Sequence, residues 1–175
     1  MNYRVRRWKK TDQEILKKRL NNIHIWEKLC DNLPLPFTDE DAVSFLDKAT
    51  ANSQDFDAYA LEIGGSKESS EVCGGVYLKR AEAPHSMIYL LNFWMCPDYA
   101  DSNALSEVLK DLMPHYFFHL PVMKIMCKVH SDDTDYEEIL KKVGFCKEAS
   151  LSNAVLKSGK ILDLHIYTFS EHIKD

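Results

Sequence analysis

The chain has 175 residues, of which 45% are hydrophobic and 28% charged, with a formal net charge of −5. That length suits a single domain over 1–175, with a core burying roughly 70% of the unfolded surface. The acidic balance excludes general binding to a nucleic-acid backbone, since nothing here releases condensed counterions.

No membrane span is expected. The longest apolar stretch, Met87 to Cys96, is interrupted by Asn92 and falls short of the roughly 18 residues a span needs. The basic start, Met1 to Arg7, leads into Lys9, Lys10 and Thr11 without the apolar segment of a secretory leader. Five cysteines, Cys30, Cys73, Cys96, Cys127 and Cys146, are odd in number and widely spaced. They read as reduced thiols of a cytoplasmic protein, with no disulfide framework and no metal site.

Thr11-Asp12-Gln13-Glu14 has the pattern of a capping box and predicts a first helix carrying Ile15, Leu16, Leu20 and Ile23. Leu33-Pro34-Leu35-Pro36 breaks the chain. A second helix is predicted from Thr38, with Ala42, Val43, Phe45, Leu46 and Ala49 inward. The period then changes. Tyr59, Leu61 and Ile63 alternate as in a strand, Gly64-Gly65 turns, and Val72 to Leu78 is extended. Met87 to Met95 predicts a central strand buried on both faces. After a loop over 97–103, a helix is predicted from about Ala104, kinked or shortened by Pro114. Val122 to His130 is a further strand. Thr134 to Glu137 predicts a second capping box, opening a helix that stops at Gly144. Two strands flank Ser158-Gly159. The expected fold class is α/β, a mixed sheet with helices on both faces, in the order β-α-α-β-β-β-α-β-α-β-β.

This order resembles the GNAT superfamily of acetyl-coenzyme A-dependent N-acetyltransferases, notably its ribosomal-protein (RimJ/RimL-like) branch. The likeness is carried by Asp133 to Phe145, ending Leu140-Lys141-Lys142-Val143-Gly144-Phe145, by the hairpin Ser150 to Phe169, and by Pro97-Asp98-Tyr99. It implies that Met87–Met95 and Val122–His130 run parallel, splay apart and hold acetyl-coenzyme A between them. It also implies direct attack by an amine, a small molecule or a protein N-terminus, with no metal. Such a reaction needs donors for a developing oxyanion and a base for the ammonium.

The resemblance sets Trp94, Met95 and Cys96, the loop Ala100-Asp101-Ser102-Asn103-Ala104, and Asp133 beside the cofactor. The family's loop has arginine or glutamine and two glycines, whose amides grip the pyrophosphate. Here the arginine and both glycines are replaced. Asn103 tolerates a left-handed backbone. Asp101 either faces a phosphate, repelling it by about 3 kcal/mol at roughly 5 Å and an effective dielectric near 20, or caps the following helix. Asp133 stands where relatives have asparagine, and Tyr136 where they have serine. Tyr136 is a candidate acid for the leaving thiolate, or packs at the helix start. His130 is a candidate base, or a loop histidine. Asn92 is a candidate for orienting water or substrate, and Leu90 occupies the position of a familiar glutamate. His115 and His119 are four apart without a third ligand nearby. Two functions are compatible with this pattern: an amine N-acetyltransferase, and a binding or regulatory module that keeps the fold but has lost cofactor affinity.

Overall fold

The computed structural model describes residues 3–30, 33–64 and 70–170. Its strands are β1 (Tyr3–Arg7), β2 (Phe56–Ile63), β3 (Glu71–Arg80), β4 (Ile88–Met95), β5 (Lys124–His130), β6 (Cys146–Lys157) and β7 (Lys160–Ser170). Its α-helices are α1 (Gln13–Leu20), α2 (Ile23–Lys28), α3 (Asp39–Thr50), α4 (Ser102–His119) and α5 (Thr134–Val143). The sheet runs β1-β2-β3-β4-β5-β7-β6. All neighbours are antiparallel except β4 and β5.

One apolar layer joins α4 and α5 to the sheet through Leu105, Leu109, Tyr116, Ile139 and Leu140, packed with Leu61, Leu91 and Phe93. The other joins α1, α2 and α3 through Leu16, Leu20, Ile25 and Leu46, packed with Trp8 and Trp94. The two indoles stack at 6.5 Å between centroids, inclined by 26°. Gly75 makes room for them: a Cβ there would lie 2.8 Å from the Trp94 indole nitrogen and 3.2 Å from the Trp8 ring.

The observed order is the expected one with one helix added. Asn21 and Asn22 divide the first predicted helix. Asn21 binds the chain beyond Pro36, accepting from Phe37 N and donating to Phe37 O, each at 2.8 Å. Asn22 caps α2 by accepting from His24 N at 2.9 Å. Ile23, expected inside, is therefore 45% exposed. Asn and Asp side chains compete with helical backbone bonds, and two in succession end the helix.

Other expectations are also corrected. The capping box at Thr11 is replaced by one that begins at Lys9, in which Asp12 accepts from Lys9 N at 2.8 Å and from Arg6 Nη1 at 2.7 Å. An ionised carboxylate with a guanidinium partner outcompetes a hydroxyl. Asp133, not Thr134, caps α5, accepting from Tyr136 N. Pro114 does not shorten α4, which continues to His119, because Leu112, Met113 and Tyr116 bury the turns around it. Val43 faces solvent. Strand β4 alternates between half-buried and buried residues through Asn92 and is fully buried only over Phe93 to Met95. The Thr38 cap of α3, the left-handed stop at Gly144 (φ 108°) and the Ser158-Gly159 turn are as expected. Gly64 ends β2 with a positive φ, while Gly65 lies outside the described residues.

Candidate active site

Strands β4 and β5 pair over four residues each, from Ile88↔Lys124 to Leu91↔Cys127. Beyond that they part. Strand β5 continues against β7 as far as His130↔Leu164, and β4 stays with β3 to Met95↔Gly74. A slot therefore opens between the last residues of β4 and those of β5. The peptide of Cys96 turns towards β3, its N–H bonded to Cys73 O at 2.7 Å. Strand alternation then turns the peptides of Phe93 and Met95 the other way, into the slot. The Tyr136 hydroxyl donates to Phe93 O at 3.4 Å, and its ring stacks on Phe93 at 4.5 Å. Burial pushes that hydroxyl far above the usual phenol range, so it stays protonated.

At one end of the slot lies the tip of α4. Asp101 is its N-cap, and Oδ1 accepts from both Asn103 N and Ala104 N at 3.1 Å. Its backbone carbonyl takes Leu105 N at 2.9 Å. Of the two readings of Asp101, the structure has the cap. Ser102 O accepts from the Ser106 hydroxyl at 2.5 Å, Ala100 N reaches Pro97 O at 3.2 Å, and Asn103 Oδ1 accepts from Lys142 Nζ at 2.9 Å. The amides of Asn103 and Ala104 at the α4 tip are thus met by the chain's own carboxylate.

On the α2 side is a cavity of about 240 Å³, walled by α2, the end of β5, the start of α5 and the β6–β7 hairpin. His130 and Asp133 line it, with Glu27, Lys28 and Lys157. His130 is 3% exposed. Burial, followed by the Lys157 charge, lowers its pKa below the ordinary histidine value, against an opposing hydrogen bond to the Glu27 backbone. The ring is uncharged at neutral pH. With one N–H on the Glu27 carbonyl, its other nitrogen is an acceptor. Asp133 is also buried, and desolvation raises its pKa despite the Lys28 ammonium on Oδ1 at 3.0 Å. Its Oδ2 has no hydrogen-bond partner. Lys157 donates to Leu29 O at 3.1 Å and lies 3.7 Å over the Trp26 ring, fastening the hairpin to α2.

The candidate residues therefore divide into groups. His130 and Asp133 share the cavity; Tyr136 and the Met95 peptide belong to the slot; Ala100 to Ala104 form the α4 tip. Asn92 is the first β4 residue past the fork, on a separate cavity of about 40 Å³ shared with Cys30, Met126 and Lys128. Trp94 and Cys96 point their side chains into the core beside Trp8, away from the slot, because the tryptophan pair needs the space over Gly75. His115 is tied to the Tyr59 hydroxyl at 2.7 Å, and among the described residues no group of three metal-ligating side chains converges. Glu27 and Lys28 were missed because their helix was hidden behind Asn21-Asn22. That asparagine pair was the available signal.

Residues 3–146 match the family described as acetyltransferase (GNAT) domain. The chain belongs to the GNAT acetyltransferase family. Among solved structures, the spermidine N-acetyltransferase of Vibrio cholerae in complex with CoA and spermine is similar, with TM-score 0.78 and 15% identity, covering 97% of this chain and 95% of that one. A GNAT-family acetyltransferase of Streptococcus pneumoniae has TM-score 0.79 and 18% identity over 97% and 100% of the two chains. RimL, a ribosomal L7/L12 α-N-protein acetyltransferase in complex with coenzyme A, has TM-score 0.79 and 16% identity over 97% and 94%. Enzymes named for spermidine and for a ribosomal protein thus match about equally, so the likeness reaches the superfamily and singles out no branch. No curated protein matches the sequence.

Proposed function

We propose that this domain transfers acetyl from acetyl-coenzyme A to a primary amine, a small molecule or a protein N-terminus, in the cytoplasm. The acceptor enters the cavity between α2, β5, α5 and the hairpin. The observation that carries the reading is an uncharged, buried His130 on that cavity, beside a strand pair that parts after four residues each. An amine is protonated at neutral pH and must lose a proton before it attacks. His130 takes that proton. Asp133, with Glu27 and Asp135 nearby, draws the ammonium in. The Phe93 N–H, turned into the slot, supplies a donor for oxyanion charge. Tyr136 holds a proton at the far side.

The fit to acetyl-coenzyme A is divided. Its arm suits the edge of β4 past Leu91, where the Phe93 N–H and the Met95 peptide face the slot and the Phe93 carbonyl takes the Tyr136 hydroxyl. Its pyrophosphate does not suit the α4 tip, where Asp101 already holds two amides. When bound, the thioester supplies an activated acyl carbonyl. That same contact favours a second reading, a GNAT-fold binding or regulatory protein with little affinity for acetyl-coenzyme A.

Thermal unfolding with ligand separates the two. Acetyl-coenzyme A at about 100 times its Kd adds roughly 2.7 kcal/mol, which raises Tm by about 5–11 °C for a chain of this size. The transferase reading expects that rise, together with thiol release in the presence of an amine panel. An unchanged Tm at millimolar acetyl-coenzyme A leaves only the second reading.

A further inference from the structure

We infer that the acceptor is an amine that also carries a carboxylate, which Lys79, Asn92 and Lys128 hold in a small cavity while the amine lies at His130. This rests on the transferase reading above and names the class of its acceptor. Lys79, Asn92 and Lys128 come from three neighbouring strands, β3, β4 and β5, and line one cavity of about 40 Å³. One water takes about 10–15 Å³ on the same measure, so the space suits a group of three heavy atoms. Among the described residues no carboxylate lines it: Leu90 and Met126 are apolar, and burial pushes the Cys30 thiol up to about 12, which keeps it protonated. Neither ammonium has an ion pair among the described residues, and the Asn92 side chain has no hydrogen bond there. Lys79 also borders a cavity of about 280 Å³ in front of α3, where the carboxylate of Asp41 is bonded to Thr38 N and Oγ1, each at 2.8 Å.

This cavity adjoins the one that holds His130. Lys128 and His130 are two apart on β5 and share one face of the strand, about 6.5 Å from each other along it. Cys30 lines the smaller cavity and lies in the field of Lys157 and Asp133, which line the larger. The ends of this groove differ in sign. Glu27, Asp133 and Asp135 favour an ammonium at one, and Lys79 and Lys128 favour an anion at the other. In the larger cavity Lys28 is bonded to Asp133 and Lys157 to Leu29 O, so Lys160 is its remaining lysine. Lys79 and Lys128 are exposed, and a single ion pair of that kind contributes little. Two cations and an amide on one carboxylate should give about a tenfold preference.

The experiment measures thiol release from acetyl-coenzyme A by the full chain with three amines of equal length: aminopentane, ω-aminopentanoate and diaminopentane. A second pair, a dipeptide amide with aspartate in second place and its asparagine counterpart, presents the same acid from a peptide amino terminus. The readout is the ratio of kcat/KM between the acidic amine and its uncharged partner, which cancels any general loss of activity. The expected ratio is about ten in at least one pair, carried by KM, with diaminopentane the poorest of the three. The pair with the larger ratio tells a free acid from a peptide-borne one. Lys79→Gln and Lys128→Gln should each bring the ratio towards one, and Lys128→Glu should turn the preference to diaminopentane. A ratio near one in both pairs of the unsubstituted chain overturns the inference while sparing the transferase reading. So does a ratio that survives both glutamine variants, or one that falls only in Lys160→Gln. Thiol release with none of these amines also overturns it. If acetyl-coenzyme A then leaves Tm unchanged as well, the transferase reading falls with it.

Discussion

Glu62 sits on β2 with its side chain only 7% exposed, facing Arg4 and Arg6 of β1. Burial opposes its charge, but the Arg6 and Arg4 guanidiniums overcome that and hold its carboxyl at about 2. A depressed folded-state value contributes stability that is complete above the unfolded value of about 4.3 and is lost as pH falls towards 2. Glu62→Gln should cost roughly 1.5–3 kcal/mol near neutrality and flatten the stability profile between about pH 5 and 2 in urea titrations. His130 has the same sign by another cause: its folded pKa lies below the ordinary value because the cationic form is desolvated. Turnover should therefore rise through a midpoint below about 6.5 and then level off. In His130→Gln, kcat should fall by about 10²- to 10⁴-fold and the acid limb should vanish. A variant that keeps both the rate and the limb removes His130 from the chemistry. At this scale the sequence was legible where a role depends on local geometry. The Asp101 cap could be foreseen from its place before a helix, and His130 from its place at a strand end. The Lys28–Asp133 pair could not, because its partners are 105 positions apart and meet only once the sheet is built.

Helix ends show how local signals compete. Gly144 closes α5 with φ 108°, its N–H shared between Leu140 O and Lys141 O. A Cβ there would lie 3.3 Å from the Phe169 ring. Gly144→Ala should destabilise by about 1–2 kcal/mol, seen as a lower denaturation midpoint with unchanged m-value. Pro114 is the opposite case. It removes an amide inside α4, yet the helix continues because its neighbours are buried. Pro114→Ala should stabilise the chain, by up to about 3 kcal/mol if the backbone there is already helical. A lower Tm in that variant would show that the ring packs in a way the helix needs. Elements with a strong period and a clear boundary, such as α3 with its Thr38 cap and α5 with its Gly144 stop, were readable from residues alone. Helix α2 was not, because its six residues are too few to display a period and its cap resembles an ordinary loop asparagine.

Across the whole molecule, order and class were legible because apolar period and turn residues are repeated in every segment, whereas the depth of the fork was not. Nothing in Ile88 to Met95 says that pairing with β5 stops after Leu91. It stops because β5 is drawn towards β7, which pairs with it along its full length, while β4 follows β3. Packing in the layer under α1 to α3 is tight at Gly75, where a Cβ would meet both indoles, so Gly75→Ala should push the tryptophans apart at a cost of about 1–3 kcal/mol, lowering Tm by about 2–4 °C per kcal/mol.

The parallel seam between β4 and β5 also sets how the sheet bears load. Four antiparallel ribbons on one side and three on the other meet along four rungs, like two boards joined by a short hinge. The amide protons of Phe93 and Met95, with side chains deep in the core, should exchange with heavy water far sooner than those of Tyr89 and Leu91. Whatever lies along that bare margin becomes a splint across the joint.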